Sequence, residues 1–114
     1  EVIRLDPENA KAYLMRRYAY DAQGEHERAI QDYDEAIRLN PQHAIAYSNR
    51  GVAYANLGQD ERAIQDYDEA IRLDPEDAEA YYSRGMAYDR LGQTEQANQD
   101  FDDAIRLNPN LKRP

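Results

Sequence analysis

The sequence predicts an all-α chain of stacked helix–turn–helix units, and three observations predict it. The string ERAIQDYDEAIRL fills positions 27–39, returns letter for letter at 61–73, and is echoed by EQANQDFDDAIRL at 95–107, a spacing of 34 residues each time. Glycine and proline punctuate the same period: Gly24, Gly58 and Gly92 in one register, Pro41, Pro75 and Pro109 in another. Between these marks the apolar residues follow helical spacing, and no strand-like alternation is sustained.

The period divides the chain into units 10–43, 44–77 and 78–111. Residues 1–9, EVIRLDPEN, match the close of a unit, as in EAIRLDPED at 69–77, and read as the tail of a truncated preceding repeat. Residues 112–114 read as a C-terminal tail. Lys112 and Pro114 stand where a fourth unit would carry alanines, and Asn98 replaces Ile30 and Ile64, so the array is expected to end near here.

Each unit contains two expected helices. The first runs over 10–22, 44–57 and 78–91, and the glycine just beyond it closes the helix in a left-handed conformation. The second runs over 27–39, 61–73 and 95–107, with Asp60 and Thr94 expected as N-caps and His26 as a poor one. The prolines stop propagation and open the next unit. Gly51 and Gly85 interrupt first helices at a cost of about 1 kcal/mol each, which a close approach of the paired helix would explain; Arg17 holds that position in the first unit.

Bulk properties exclude several functions. The net charge is −9, with 23 Asp and Glu against 14 Lys and Arg, and nearly all of it lies on the second helices. Nucleic acid and anionic membranes both require phosphate neutralisation, so neither is an expected partner. No apolar run approaches the ~20 residues of a membrane span. Without cysteine there is no disulfide, thiolate metal site or cysteine nucleophile. His26 and His43 lack companions at ligand spacing, and Asp100, Asp102 and Asp103 lack the glycine turn of a calcium loop. Neither a phosphate loop nor a nucleophile elbow is present. The expectation is a non-catalytic protein with no cofactor.

A 34-residue helix–turn–helix unit with this signature resembles the tetratricopeptide repeat. The first helices carry Tyr13, Tyr47 and Tyr81, then Tyr20, Tyr54 and Tyr88. The second carry Ala29, Ala63 and Ala97, then Tyr33, Tyr67 and Phe101, then Ala36, Ala70 and Ala104 before the prolines. The match covers essentially the whole chain. It implies a right-handed superhelical solenoid of antiparallel hairpins, with the first helices lining a concave groove. Stacking is also what physics demands, because one hairpin cannot bury its apolar face alone. Most of the tyrosines fall on that packing face and are expected in the core.

Comparing units within the chain separates two faces of the first helix. Arg16, Arg50 and Arg84 recur with the alanines and tyrosines around them. The opposite face is rewritten: Lys11/Ile45/Glu79, Leu14/Ser48/Tyr82, Met15/Asn49/Ser83, Tyr18/Val52/Met86, Asp21/Ala55/Asp89 and Ala22/Asn56/Arg90. The resemblance places this rewritten face in the groove. Drift of exposed residues would also produce variation, but Gln31, Asp34 and Glu35 recur unchanged in the second unit although exposure is expected there. The rewritten face is therefore read as a partner-binding surface, with Tyr18, Val52 and Met86 as its central stripe and Asn49 and Asn56 as hydrogen-bonding positions.

The family's carboxylate clamp, which grips the C-terminus of chaperone tails, takes Lys and Asn on the first groove helix, Asn on the second, and Lys and Arg on the third. The matching positions here are Leu14 and Tyr18, Asn49, and Glu79 and Ser83. Only Asn49 agrees, and Glu79 repels a carboxylate. An internal protein or peptide segment, held by apolar side chains and backbone hydrogen bonds, is the expected ligand. The alternative is self-association, with repeats stacking between chains through the truncated N-terminal edge.

Arg16, Arg50 and Arg84 occupy a packing position where the family usually has leucine, and a buried guanidinium needs a partner. Asp32, Asp66 and Asp100 recur as faithfully. An Arg–Asp pair within each unit is expected rather than an anion-binding arginine ladder, with Asp34, Asp68 and Asp102 as alternative acceptors.

Overall fold

A computed structural model describes residues 25–114. The expected first helix of the first unit, the tail 1–9, Gly24, and Lys11, Leu14, Met15, Arg16 and Tyr18 lie outside the described residues. Five helices follow one another: α1 (His26–Leu39), α2 (Ala44–Asn56), α3 (Asp60–Leu73), α4 (Ala78–Arg90) and α5 (Thr94–Leu107). No strand occurs among the described residues. Each helix packs on its neighbours in sequence, and α2 also touches α4, giving an all-α solenoid in which like helices lie side by side.

The junctions follow from the punctuation. Gly58 and Gly92 both adopt φ +78°, a conformation costly for any residue with a Cβ. Each allows the following residue to turn back: Gln59 N–H donates to the Tyr54 carbonyl and Gln93 N–H to that of Tyr88, both at 2.9 Å. At the other junctions Asn40 and Asp74 accept from the backbone N–H two residues on, at 3.2 Å, an Asx turn that the adjacent proline stiffens. Tyr47 and Tyr81 tie helix to junction, donating their hydroxyls to the Pro41 and Pro75 carbonyls at 3.2 Å.

The core is built from alanine and one aromatic ring per outer helix: Tyr33, Tyr67 and Phe101 are buried among Ala29, Ala36, Ala46, Ala53, Ala63, Ala70, Ala80, Ala87, Ala97 and Ala104. Small residues let the helices approach closely, and the glycines mark the tightest points. A Cβ on Gly51 would lie 2.6 Å from the Tyr67 ring, and one on Gly85 would lie 2.8 Å from the Phe101 ring. The close approach inferred from sequence is thus observed in both described units.

The helix starts differ from expectation. α3 and α5 begin at Asp60 and Thr94, so their N-caps are Gln59 and Gln93, and neither side chain caps. Glu25 likewise precedes α1 without a capping bond. The turn accounts for this: the N–H of Gln59 and Gln93 closes the preceding helix while their carbonyls already accept from Ala63 and Ala97, so each new helix starts one residue earlier. Asp60 becomes a first-turn residue whose carboxylate is taken elsewhere. The side-chain cap that does form is Asp77 on α4, accepting from the N–H of Glu79 and Ala80 at 3.1 and 3.4 Å.

Candidate functional site

Of the residues expected to bind, those of the second and third units are described, and they lie on α2 and α4. Ile45, Val52 and Met86 are 58 %, 36 % and 37 % exposed, and they are the large exposed apolar side chains among the described residues. Among the described residues the exposed large apolar side chains therefore all lie on the rewritten face, while the outer helices bury Tyr33, Tyr67 and Phe101. Val52 and Met86 hold the same register on adjacent, touching helices. Asn56, Glu79 and Asp89 are exposed beside them, and Ser48 and Asn49 are half-buried.

Three expected groove residues have partners within the fold. Tyr82 packs its ring on Phe101, centroids 5.4 Å apart, and donates its hydroxyl to the Lys112 carbonyl at 2.9 Å. The Ser83 hydroxyl faces that of Tyr67, which burial holds protonated far above its ordinary range. Arg90 donates Nε to Asp60 Oδ1 at 3.0 Å, joining the end of α4 to the start of α3 in the preceding hairpin. No sequence signature announces these contacts: one acceptor is a backbone carbonyl, and the Arg90–Asp60 pair spans 30 positions. The N-terminal edge proposed for self-association lies outside the described residues.

The arginines form the joints of the array. Arg50 grips Asp66 with two bonds, Nε to Oδ2 at 2.8 Å and Nη2 to Oδ1 at 2.7 Å. Its third arm, Nη1, reaches Asp34 of the preceding unit at 2.7 Å. Arg84 repeats the pattern on Asp100 and Asp68, at 2.8 Å throughout. Each guanidinium also lies over two tyrosine rings, Tyr47 and Tyr54 for Arg50, Tyr81 and Tyr88 for Arg84, at 5.7 and 6.0 Å. Cation–π contact and a bidentate carboxylate together explain arginine at a packing position. The hydrogen bonds to Asp66 and Asp100 raise the arginine pKa against the opposing effect of burial, while burial pushes the Asp66 carboxyl up against the pull of Arg50.

The sequence suggested Asp34 and Asp68 only as alternative acceptors within their own units. The structure uses them as second acceptors, each for the arginine of the following unit. Asp102 completes the series, paired with Arg113 of the segment after α5. The Arg16–Asp32 pair expected in the first unit involves a residue outside those described.

This geometry also revises the contrast between faces. Asp34 is held by Arg50, and Glu35 and Glu69 are held by Arg38 and Arg72 one turn away. The recurrence of Asp34 and Glu35 therefore has a structural cause, and of the residues in that contrast Gln31 is left, exposed and unchanged in the second unit. The exposure of Ile45, Val52 and Met86 now carries the case for the rewritten face.

Among the described residues no group of three or more His, Asp or Glu is placed to hold a metal ion, and no helix is long and apolar enough to cross a membrane.

Comparison with known proteins defines the class. The family profile described as TPR repeat matches residues 18–58 and 54–92, and that described as tetratricopeptide repeat matches residues 78–111. The chain belongs to the tetratricopeptide repeat family. Among solved structures it is similar to the TPR domain of Arabidopsis OM64, at 31 % identity, covering 93 % of this chain and 88 % of that one with a TM-score of 0.90. It is also similar to the second TPR of Spaghetti (RPAP3) bound to the HSP90 peptide SRMEEVD, at 32 % identity, 89 % and 94 % coverage and a TM-score of 0.86. The second TPR domain of human RPAP3 in complex with the HSP70 peptide SGPTIEEVD aligns at 32 % identity over 94 % and 90 % of the two chains, with a TM-score of 0.88. No curated protein sequence matches.

Proposed function

We propose that this chain is a non-catalytic interaction module that binds a protein or peptide segment along the rewritten face of its first helices. The observation that carries this reading is the confinement of exposed large apolar side chains to Ile45, Val52 and Met86 on α2 and α4. An extended segment seated there would bury apolar side chains on Val52 and Met86 and use Asn49 and Asn56 for its backbone. Lys11, Leu14, Met15 and Tyr18 would continue the surface on the first unit. The repeat units 10–43, 44–77 and 78–111 serve as the frame that holds it.

Structural neighbours support peptide binding as the general mode, since the RPAP3 domains are bound to chaperone peptides. The ligand here is a different one. Leu14, Tyr18, Glu79 and Ser83 stand where a carboxylate clamp needs Lys, Asn, Lys and Arg, so no clamp is assembled. The net charge of −9 opposes nucleic acid and anionic membranes as partners.

Selection of ligands from a random dodecapeptide display library tests the proposal. Peptides enriched on the native chain should lose their enrichment on a Val52→Gln, Met86→Gln variant whose helical content and unfolding midpoint are unchanged. Equal enrichment on both would sink it.

A further inference from the structure

Resting on that reading of the groove, the charge left on the rewritten face identifies the chemistry of its ligand. Among the described residues this face carries one cation, Arg90, and its Nε and Nη2 both lie 3.0 Å from Asp60 Oδ1. Glu79 and Asp89 are exposed on the same face, and neither has an ion-pair partner among the described residues. Ser83, a potential donor between them, faces Tyr67. The charge available to a ligand on α4 is therefore negative. The outer helices add a field of the same sign, which steers cations toward the molecule.

We infer that the groove takes a basic segment, with an aliphatic side chain between Val52 and Met86 and a lysine or arginine reaching Glu79 or Asp89. Glu79 lies seven residues before Met86 and Asp89 three residues after it, so the carboxylates flank the apolar step along the helix axis. An acidic tail such as SRMEEVD would meet like charge at both ends of that step. Lys112 borders the surface where Tyr82 binds its carbonyl, and its own side chain opposes the preference weakly.

The display selection, followed by anisotropy titration of the best synthetic peptides at low and high salt, tests this directly. The result expected is a set of peptides with net positive charge and at least one Leu, Ile, Val or Met. Their affinity should fall about two- to fivefold on Glu79→Lys or Asp89→Lys at low salt, with the difference shrinking as salt rises. Lys112→Ala should tighten them slightly. Acidic or uncharged peptides that still need Val52 and Met86 would overturn the charge inference and leave the groove reading standing; so would unchanged or tighter binding of basic peptides by Glu79→Lys. Selection indifferent to Val52→Gln, Met86→Gln, or no selection at all, would overturn both.

Discussion

The α2–α3 and α4–α5 hairpins repeat the same contacts at their joints and differ in what they show to solvent. Arg50 and Arg84 make the same three hydrogen bonds and the same two aromatic contacts. Gly51 and Gly85 meet the same ring position. On the outward side of the first helix, Ile45, Ser48, Asn49 and Val52 become Glu79, Tyr82, Ser83 and Met86. The difference teaches a division of labour within α2 and α4: one face is constrained by stacking, and on the other Ile45, Val52, Glu79 and Met86 are exposed, whereas Tyr82 and Arg90 are drawn into contacts of the stack.

That division is open to attack, starting where the joint is deepest. Asp66 has a side chain only 7 % exposed and accepts two charge-assisted bonds. Asp66→Ala leaves the Arg50 guanidinium with one of its three carboxylate bonds and should cost about 2–3 kcal/mol in urea unfolding. Gly51→Ala drives a Cβ into the buried Tyr67 ring. Overpacking of about 1–3 kcal/mol outweighs the gain in helix propensity of about 1 kcal/mol, for a net loss of about 1 kcal/mol. A gain in stability would mean that the ring yields and the approach is not tight.

Tyr67 supplies a pH test. Burial raises its pKa above the ordinary 10.0, so the folded chain holds this proton more firmly than the unfolded one. The resulting stability is complete below pH 10 and is lost as pH rises from there through the folded-state value. The loss is up to about 1.4 kcal/mol per pH unit for one group. Tyr67→Phe, with the ring that the third unit already uses at Phe101, should flatten the alkaline decline in unfolding midpoint. An unchanged slope would assign the decline to other groups.

Asp68 should matter least among the joint residues. Its carboxylate is 53 % exposed and makes one bond to Arg84, so Asp68→Ala should cost no more than about 1 kcal/mol, and less as salt rises. If Asp68→Ala proved more damaging than Asp66→Ala, the bond between units would outrank the bond within one.

Much of this was legible in the sequence because the constraint repeats. Glycine, proline and alanine recur in register, and each has one strong physical reason to be where it is. Helix boundaries fell within a residue of expectation, and Asp66 was recognisable as the partner of Arg50. The third arm of each arginine was not: nothing in one unit's sequence says that its guanidinium reaches back to Asp34 or Asp68. Asp60 looked like a helix cap and is instead the partner of Arg90. Tyr82 looked like groove surface, yet its hydroxyl bonds a backbone carbonyl, an acceptor that every residue offers. The rewritten positions stand out in the sequence as those that change between units; the exposure of Ile45, Val52 and Met86 depends on how the helices stack, which the pattern of one unit does not give.

The most direct test of the division between faces is one paired measurement on the Val52→Gln, Met86→Gln chain: its urea midpoint and its affinity for a peptide selected on the native protein. The account predicts stability within about 0.5 kcal/mol of native, with peptide affinity reduced at least about tenfold, the loss expected when two apolar contacts of the groove are removed. Native affinity in a chain of native stability would contradict it.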